Sequence, residues 1–582
     1  MLRSAIAALT GKSVETKVLE IDLARGVVSA PPDNPLAALR LINAASMNAL
    51  REGLRHAATD DQVAGLVLRV TEHPSLALAQ LQELGELVAE FDRHKPTVAF
   101  AESFGEAGSA LSSYTLATHC RQIWLQPSGE LGLTGVHVGI TLLRGLLEKG
   151  GVEPQFAQRH EYKSAGEQFS AHQISDANRE MMQRLADSIF EQSVERISAR
   201  RGVDAESVRE LIDRGLLTPE EALAGGLIDR IGYRDEMFTE VWSSWGAKAK
   251  DEKSLQFVHR YGAAHAGPRR ARQTLDRSAP QVGVVTLRGP IVTGRGRPAQ
   301  GGQGQAGADV ICEQLRAAGR NDRIKAVVLR IDSPGGSAVA SDSIWRAVTQ
   351  LRASGRPVVA QMGALAASGG YYSAVGADAI VALPATLTGS IGVVAGKFVL
   401  EQTYRKLGLV HEGLGAGRQA DFFAADAPWN QEQWDLLNGF LDRIYADFVA
   451  KAAQGRGMGV EELEPLARGR VWTGADAHQR GLVDQLGGLE VALQKACDLA
   501  SINRDRAQVH QLPALGLFDR LQPANNSESV SASASALTEL GLGASGPDAL
   551  LQRGLRFLGL TNTSLPTDQV GVLTMPWQLT IR

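Results

Sequence analysis

Ile324-Lys-Ala-Val-Val-Leu-Arg-Ile331 repeats a run met 261 residues earlier, Val63-Ala-Gly-Leu-Val-Leu-Arg-Val70. The same spacing relates Lys95-Pro96-Thr97-Val98-Ala99 to Arg356-Pro357-Val358-Val359-Ala360. The offset then steps to 257, pairing Tyr114 with Tyr371, Pro127 with Pro384 and Gly132 with Gly389. It ends at 255, where Leu217-Thr218 matches Trp472-Thr473 and Gly226-Leu-Ile-Asp229 matches Gly481-Leu-Val-Asp484. Each match is weak alone. Collinear offsets that step by a few residues mean two copies of one domain separated by small indels.

Within the second copy, Gln281–Leu287 and Ala326–Ile331 are short β-branched apolar runs, and Ser341–Ala353 has helical spacing. Val358–Met362 and Ala379–Leu383 read as strands around a small-residue helix at Gly370–Ala377, whereas Gly413–Phe423 reads as a loop. Strand and helix alternating at this pitch predict α/β domains with parallel strands. The expected organisation is a first repeat over residues 1–260, a linker over 261–280, a second repeat over 281–508 and an extension over 509–582. The linker reading rests on Gly, Pro, His and four arginines without apolar periodicity. In the extension, Asn525–Ala536 is Ser/Ala/Asn-rich, and Val570–Ile581 is apolar enough to dock as a strand. Glycine-rich Gly289–Gly307 reads equally as a loop beside the site and as an insert.

Across 582 residues, 44% hydrophobic and 21% charged side chains exclude a wholly disordered or fibrous chain. A net charge of −4 leaves no basic footprint for nucleic acid. Cys120, Cys312 and Cys497 lie far apart and read as buried free thiols of a reducing compartment, not as metal ligands. At the N-terminus, Lys12, Glu15 and Lys17 interrupt the apolar stretch that an export signal needs. Two uncharged stretches, Pro357–Ala377 and Ala379–Gly396, approach the ~20 residues of a spanning helix. Their glycines, Pro384 and hydroxyls make them strand–turn–helix and strand–turn–strand core instead. The expectation is a cytoplasmic protein, or one associated peripherally with the inner face of a membrane, with no transmembrane anchor visible.

Two stretches could carry chemistry. Ile331-Asp-Ser-Pro-Gly-Gly336 joins a buried strand to a helix, where a glycine pair lets backbone N–H groups face a ligand oxygen. The plainer reading is a tight turn. Ala366-Ala-Ser-Gly-Gly-Tyr-Tyr372 puts Ser368 between strand and helix, with the Gly369 amide as a second oxyanion donor. The G-x-S-x-G elbow is not met, because Ala366 holds its first position. A nucleophilic serine needs a base, and none of the twelve histidines lies in either motif. Lys163 is a candidate only if neutral. Its ordinary pKa of about 10.4 would have to fall by roughly three units, about 4 kcal/mol, through burial in an apolar pocket.

The two copies are complementary. Ser368 corresponds to Leu111 in the first, and Lys163 corresponds to Arg418 in the second, which cannot deprotonate. The first copy also replaces the Ser-Pro-Gly-Gly turn with Thr71-Glu-His-Pro74. One composite site per duplicated chain is the economical explanation.

Asp332-Ser-Pro-Gly-Gly336, Met362-Gly-Ala-Leu-Ala-Ala-Ser-Gly-Gly370, Leu387-Thr-Gly-Ser-Ile-Gly392 and Tyr162-Lys163-Ser164 together resemble the signatures of the bacterial signal peptide peptidase A (protease IV) family. The resemblance is to the long two-repeat form, in an anchorless variety, and covers about residues 15–505. It implies tandem Clp-protease/crotonase-like α/β domains, a homotetramer, and cleavage of remnant signal peptides or other unfolded apolar peptides. It implies Ser368 as nucleophile, Lys163 as general base, Ser390 as the hydroxyl that orients the lysine, and Gly369 and Gly336 as oxyanion donors. No metal or cofactor is implied. Two rival readings are a crotonase-type acyl-CoA enzyme, which would bind CoA without acylating Ser368, and an inactive scaffold, which a serine-reactive fluorophosphonate would not label.

Overall fold

The apolar runs form strands covered on both faces, which is why they lack polar alternation. The computed structural model describes residues 16–28, 44–71, 74–106, 108–245, 254–265, 278–296 and 304–512, and the backbone of 572–574. Several stretches read from the sequence fall wholly or partly outside these, among them the N-terminus up to residue 15, the linker from 266 to 277, the glycine-rich stretch from 297 to 303, Asn525–Ala536, and all of Val570–Ile581 except 572–574.

The chain divides into two compact units, 1–137 with 186–277 and 138–185 with 278–581. The first is built on a six-stranded parallel sheet in the order Arg230–Ile231, Gln122–Leu125, Thr97–Ala101, Val63–Arg69, Lys17–Asp22, Leu255–Phe257. The second contains the same order in Gln485–Leu486, Ala379–Ala382, Val358–Ala367, Ile324–Ser333, Gln281–Arg288 and Gln508–Gln511, again parallel. Each also has a short antiparallel pair, Leu131–Leu133 with Gly215–Leu217 and Leu387–Gly389 with Val471–Thr473. The duplication is therefore one of topology as well as of sequence. Each sheet lies inside its own apolar core, with Leu19, Leu66, Phe100 and Ile123 fully buried in one unit and Val285, Val327, Leu329 and Ala360 in the other. Each fully buried Val, Leu, Ile or Phe contributes on the order of 1.5–3 kcal/mol.

Two expectations change. The linker does not begin at Tyr261: residues 258–265 are helical, and the Tyr261 ring is buried with its hydroxyl donating to Asp60 Oδ2 at 2.5 Å. Nor does the lysine-bearing segment stay with the first repeat. Residues 138–185 belong to the unit of the second repeat, because the strand Glu153–Gln158 pairs antiparallel along the whole of Val394–Val399.

That pairing belongs to a second six-stranded sheet, ordered Ala306–Gly307, Ile291–Val292, Gly335–Ser337, Val572–Thr574, Val394–Val399, Glu153–Gln158. The ends of the glycine-rich stretch thus pair with each other in the sheet that holds the Gly-Gly motif. Gly335–Ser337 is itself a strand and not a tight turn. The expected helices appear as Ala338–Ala353 and Gly369–Ala374, and Gly413–Phe423 contains neither helix nor strand. The three cysteines are buried, and none of them is in a disulfide. No helix among the described residues is long and apolar enough to cross a membrane.

Candidate active site

The strands of the second unit that carry the motifs are longer than their counterparts. Ile324–Ser333 and Val358–Ala367 have ten residues each, against seven in Val63–Arg69 and five in Thr97–Ala101. The extra residues carry the two strands on to Ser333 and Ala367, both fully buried. Ser368 follows at once and opens the helix Gly369–Ala374. Its backbone takes φ 54°, ψ −116°, a conformation costing on the order of 1–3 kcal/mol in a residue with a Cβ. It is held there by its own N–H donating to Gly389 O at 2.8 Å and its carbonyl accepting from Tyr372 N at 2.8 Å.

Lys163 lies between the strand Glu153–Gln158 and a short turn of helix at Ser164–Gly166. Its side chain is wholly buried, as are those of Ser368 and Ser390. Lys163 Nζ is 2.9 Å from Ser368 Oγ, 2.9 Å from Ser390 Oγ and 3.1 Å from Ser390 O. Burial pushes the lysine pKa down from 10.5 to about 7. No carboxylate among the described residues forms a salt bridge with it that would oppose this. Ser390, at φ 51°, is fixed by its N–H donating to Arg470 O at 2.7 Å.

Sequence reasoning missed the packing that keeps Lys163 dry. Gly469 (φ 85°) presses its backbone on the lysine: a Cβ there would stand 2.4 Å from Lys163 N and 2.5 Å from its Cβ. Gly392 closes the stem, since its Cβ would lie 3.2 Å from Lys163 Cδ and 2.8 Å from Gly469 Cα. Tyr162 N donates to Arg468 O at 3.2 Å, and Gly469 N to Ile391 O at 2.7 Å, so the Arg468–Gly469 segment is tied to the lysine's segment by one bond and to that of Ser390 by the other. Of the five described non-glycine residues with positive φ, four (His160, Ser368, Ser390 and Arg468) belong to these segments. Clustered strain of this kind marks a functional site. The sequence signal that was available is the Arg468-Gly469-Arg470 run just before Trp472-Thr473 of the repeat.

Gly369 and Gly336 come together as well. A Cβ on Gly369 would lie 3.1 Å from Gly336 N and 2.5 Å from Ser341 Oγ, so only glycine allows the two backbones to approach. Gly336 (φ 155°) is equally constrained, a Cβ there falling 2.0 Å from Ile291 O. Ser333 braces this strand by donating to Gly289 O at 2.7 Å and accepting from Gly335 N at 3.1 Å. As the first helical residue, Gly369 has an N–H with no intrahelical acceptor. The arrangement suits acyl chemistry: a hydroxyl, an amine of lowered pKa beside it, and the Gly369 and Gly336 backbones in close approach. Arg418, the counterpart of Lys163, is exposed and pairs with Glu432 at 3.4 Å.

Known proteins agree in kind. Residues 89–247 and 350–503 match the model of peptidase family S49. "Serine protease SPPA, chloroplastic" of Arabidopsis thaliana is 35% identical over 78% of this chain, which spans 66% of that protein's length. "Protease 4" of Salmonella typhi is 30% identical over 85% of this chain and 80% of its own. Among solved structures, a mutant of the 1510-N membrane-bound stomatin-specific protease in complex with a substrate peptide is 19% identical, over 42% of this chain and 96% of that one, with a TM-score of 0.26. The family match and the two protein relatives, apart from the solved structure, make this a serine protease. The chain belongs to peptidase family S49.

Proposed function

We propose that this protein is an endopeptidase working through a Ser–Lys dyad on unfolded apolar peptides, remnant signal peptides among them. One observation carries the reading: a lysine amine with no carboxylate partner among the described residues, wholly buried, 2.9 Å from the hydroxyls of two serines in strained backbone conformations. Neutral Lys163 accepts the proton of Ser368 Oγ as that oxygen attacks the scissile carbonyl. The N–H groups of Gly369 and Gly336 hold the oxyanion. Lys163 then protonates the leaving amine, and water hydrolyses the ester along the same proton path. Ser390 keeps the amine aimed through its hydroxyl and its carbonyl.

The test is cleavage of a fluorogenic apolar peptide by the unmodified protein beside Ser368→Ala and Lys163→Ala. Loss of cleavage in both, with the fold intact, is expected. Full activity in Lys163→Ala would refute the dyad, and an inert unmodified protein would refute the peptidase reading. Leu407, Val410, Leu414 and Phe423 are large apolar side chains exposed along one stretch of the second unit. Such a patch supports self-association into the homotetramer that the resemblance implies. Its measure is the native mass in solution, which a Leu414→Glu, Phe423→Glu pair of changes should lower.

A further inference from the structure

The first unit holds a cluster that the peptidase chemistry does not use. The helix Met47–Ala57 and the helical residues 258–265 meet at glycines. A Cβ on Gly53 would stand 2.7 Å from Val258 Cγ1, and one on Gly262 would stand 3.1 Å from Gly53 Cα. Three residues after each glycine, on the same helix face, come His56 and His265. Their ring centroids are 4.9 Å apart. Asp60, in the loop that leaves the first helix, completes the group. One donor atom from each of His56, Asp60 and His265 lies within 4.8 Å of the other two. No other such group of His, Cys, Asp or Glu occurs among the described residues. Its donors are held from outside. A carbonyl only accepts, so His265 donates its Nδ1–H to Tyr261 O at 2.9 Å and keeps Nε2 as its lone-pair nitrogen. The Asp60 carboxylate accepts from the Tyr261 hydroxyl at 2.5 Å and from Gln62 N at 3.0 Å, which leaves lone pairs over. Contacts of this kind orient metal ligands. Lys95, the neighbouring cation, gives its ammonium hydrogens to the main-chain carbonyls of Asp60 and Val63.

We propose that His56, Asp60 and His265 bind a divalent transition-metal cation of the zinc class, with water completing its coordination. Two imidazoles and one carboxylate are too rich in nitrogen for calcium or magnesium, which take oxygen ligands, and they lack the sulfur that soft copper(I) takes. The three side chains are half-buried, so an ion reaches them from solvent. Zinc–ligand bonds of about 2.0–2.2 Å draw the three donors together over a short distance, and the glycine contact between the helices already places them side by side. The ion would clip together two segments roughly 200 residues apart in sequence, and so add to the stability of the first unit. The inference is independent of the Ser–Lys dyad, none of whose residues it involves.

The experiment is calorimetric titration of the chelator-dialysed full chain with zinc chloride, for the unmodified protein, His265→Ala and Asp60→Asn. Thermal unfolding with and without zinc, and circular dichroism to check the fold, accompany each titration. The unmodified protein is expected to take up one zinc ion per chain. At about a hundredfold excess over Kd, zinc should raise its unfolding midpoint by roughly 5 °C or more. Both variants should bind zinc on the order of tenfold or more weakly and lose the thermal shift. His56→Gln, which keeps a side chain of similar polarity, replaces either variant that fails to fold and should behave in the same way. An unmodified protein without saturable zinc binding overturns the proposal. So does zinc binding of unchanged affinity in the folded variants, which would place the ion elsewhere on the chain.

Discussion

Replacing Lys163 with methionine should abolish activity and make the protein more stable at neutral pH. The lysine is wholly buried, and its pKa falls from 10.5 in the unfolded chain to about 7 in the folded one. Between those values the unfolded state holds a proton that the folded state lacks, so stability rises with pH. The burden is therefore full below pH 7 and fades as pH climbs toward 10.5. Its size is the separation of the two values at about 1.4 kcal/mol per pH unit, or about 5 kcal/mol. Methionine has nearly the same length and no charge, so it removes that burden. It also forfeits the contacts with Ser368 and Ser390, a loss of about 1–3 kcal/mol once stranded polar groups are counted. The net expectation is a gain of roughly 2–4 kcal/mol at pH 7 by these two estimates. Urea denaturation of both proteins at about pH 7 and about pH 9.5 measures it, since the gap should narrow at the higher pH. A methionine variant less stable than the parent at both pH values, by an amount that does not change, would refute the claim that the lysine is buried at a cost.

The same pKa sets the activity profile: kcat/KM of the unmodified enzyme should climb as pH passes about 7, where Lys163 loses its proton. A profile flat from about pH 6 to 10 counts against a lysine base. Ser390→Ala removes one of the two hydroxyls on Lys163 Nζ but not the Ser390 carbonyl; kcat should fall on the order of 10–100-fold, KM should stay near its original value, and the rising limb of the pH profile should move. Gly469→Ala places a Cβ 2.4 Å from Lys163 N at φ 85°. The expected result is a stability loss of about 1–3 kcal/mol with loss of fluorophosphonate labelling at Ser368, and unchanged labelling would refute the packing argument.

Some of this was legible in the residues. Strands covered on both faces must be apolar throughout, so Val63–Val70 and Ile324–Ile331 announced parallel sheets. Ser368 and Gly369 stood out between a strand and a small-residue helix, although a serine packed there for its small size was the plainer reading until the two copies were compared. Lys163 was not visible by itself, and gained weight only because the copies differ at Ser368 and Leu111 and at Lys163 and Arg418. Gly469 left only the Arg468-Gly469-Arg470 run before Trp472-Thr473 as a trace, and its role could not be read from that. Its role is a backbone contact with a residue far away in sequence, and no local pattern records such a contact. The linker was misread for a related reason. Tyr261 sits among residues without apolar periodicity, and its burial depends on Asp60, which the sequence does not place beside it.

The linear order of residues settles which groups exist, that the domain is duplicated, and that strands alternate with helices, because these follow from local periodicity and from comparing one half with the other. Which unit claims residues 138–185, and where Val572–Thr574 comes to rest, are matters of strand pairing between distant segments. So is the chemistry of the lysine. A side chain becomes a base near neutral pH only when several segments together exclude water from it. Here Gly392, Gly469 and the loops around Ser368 and Ser390 do so from positions hundreds of residues away from Lys163.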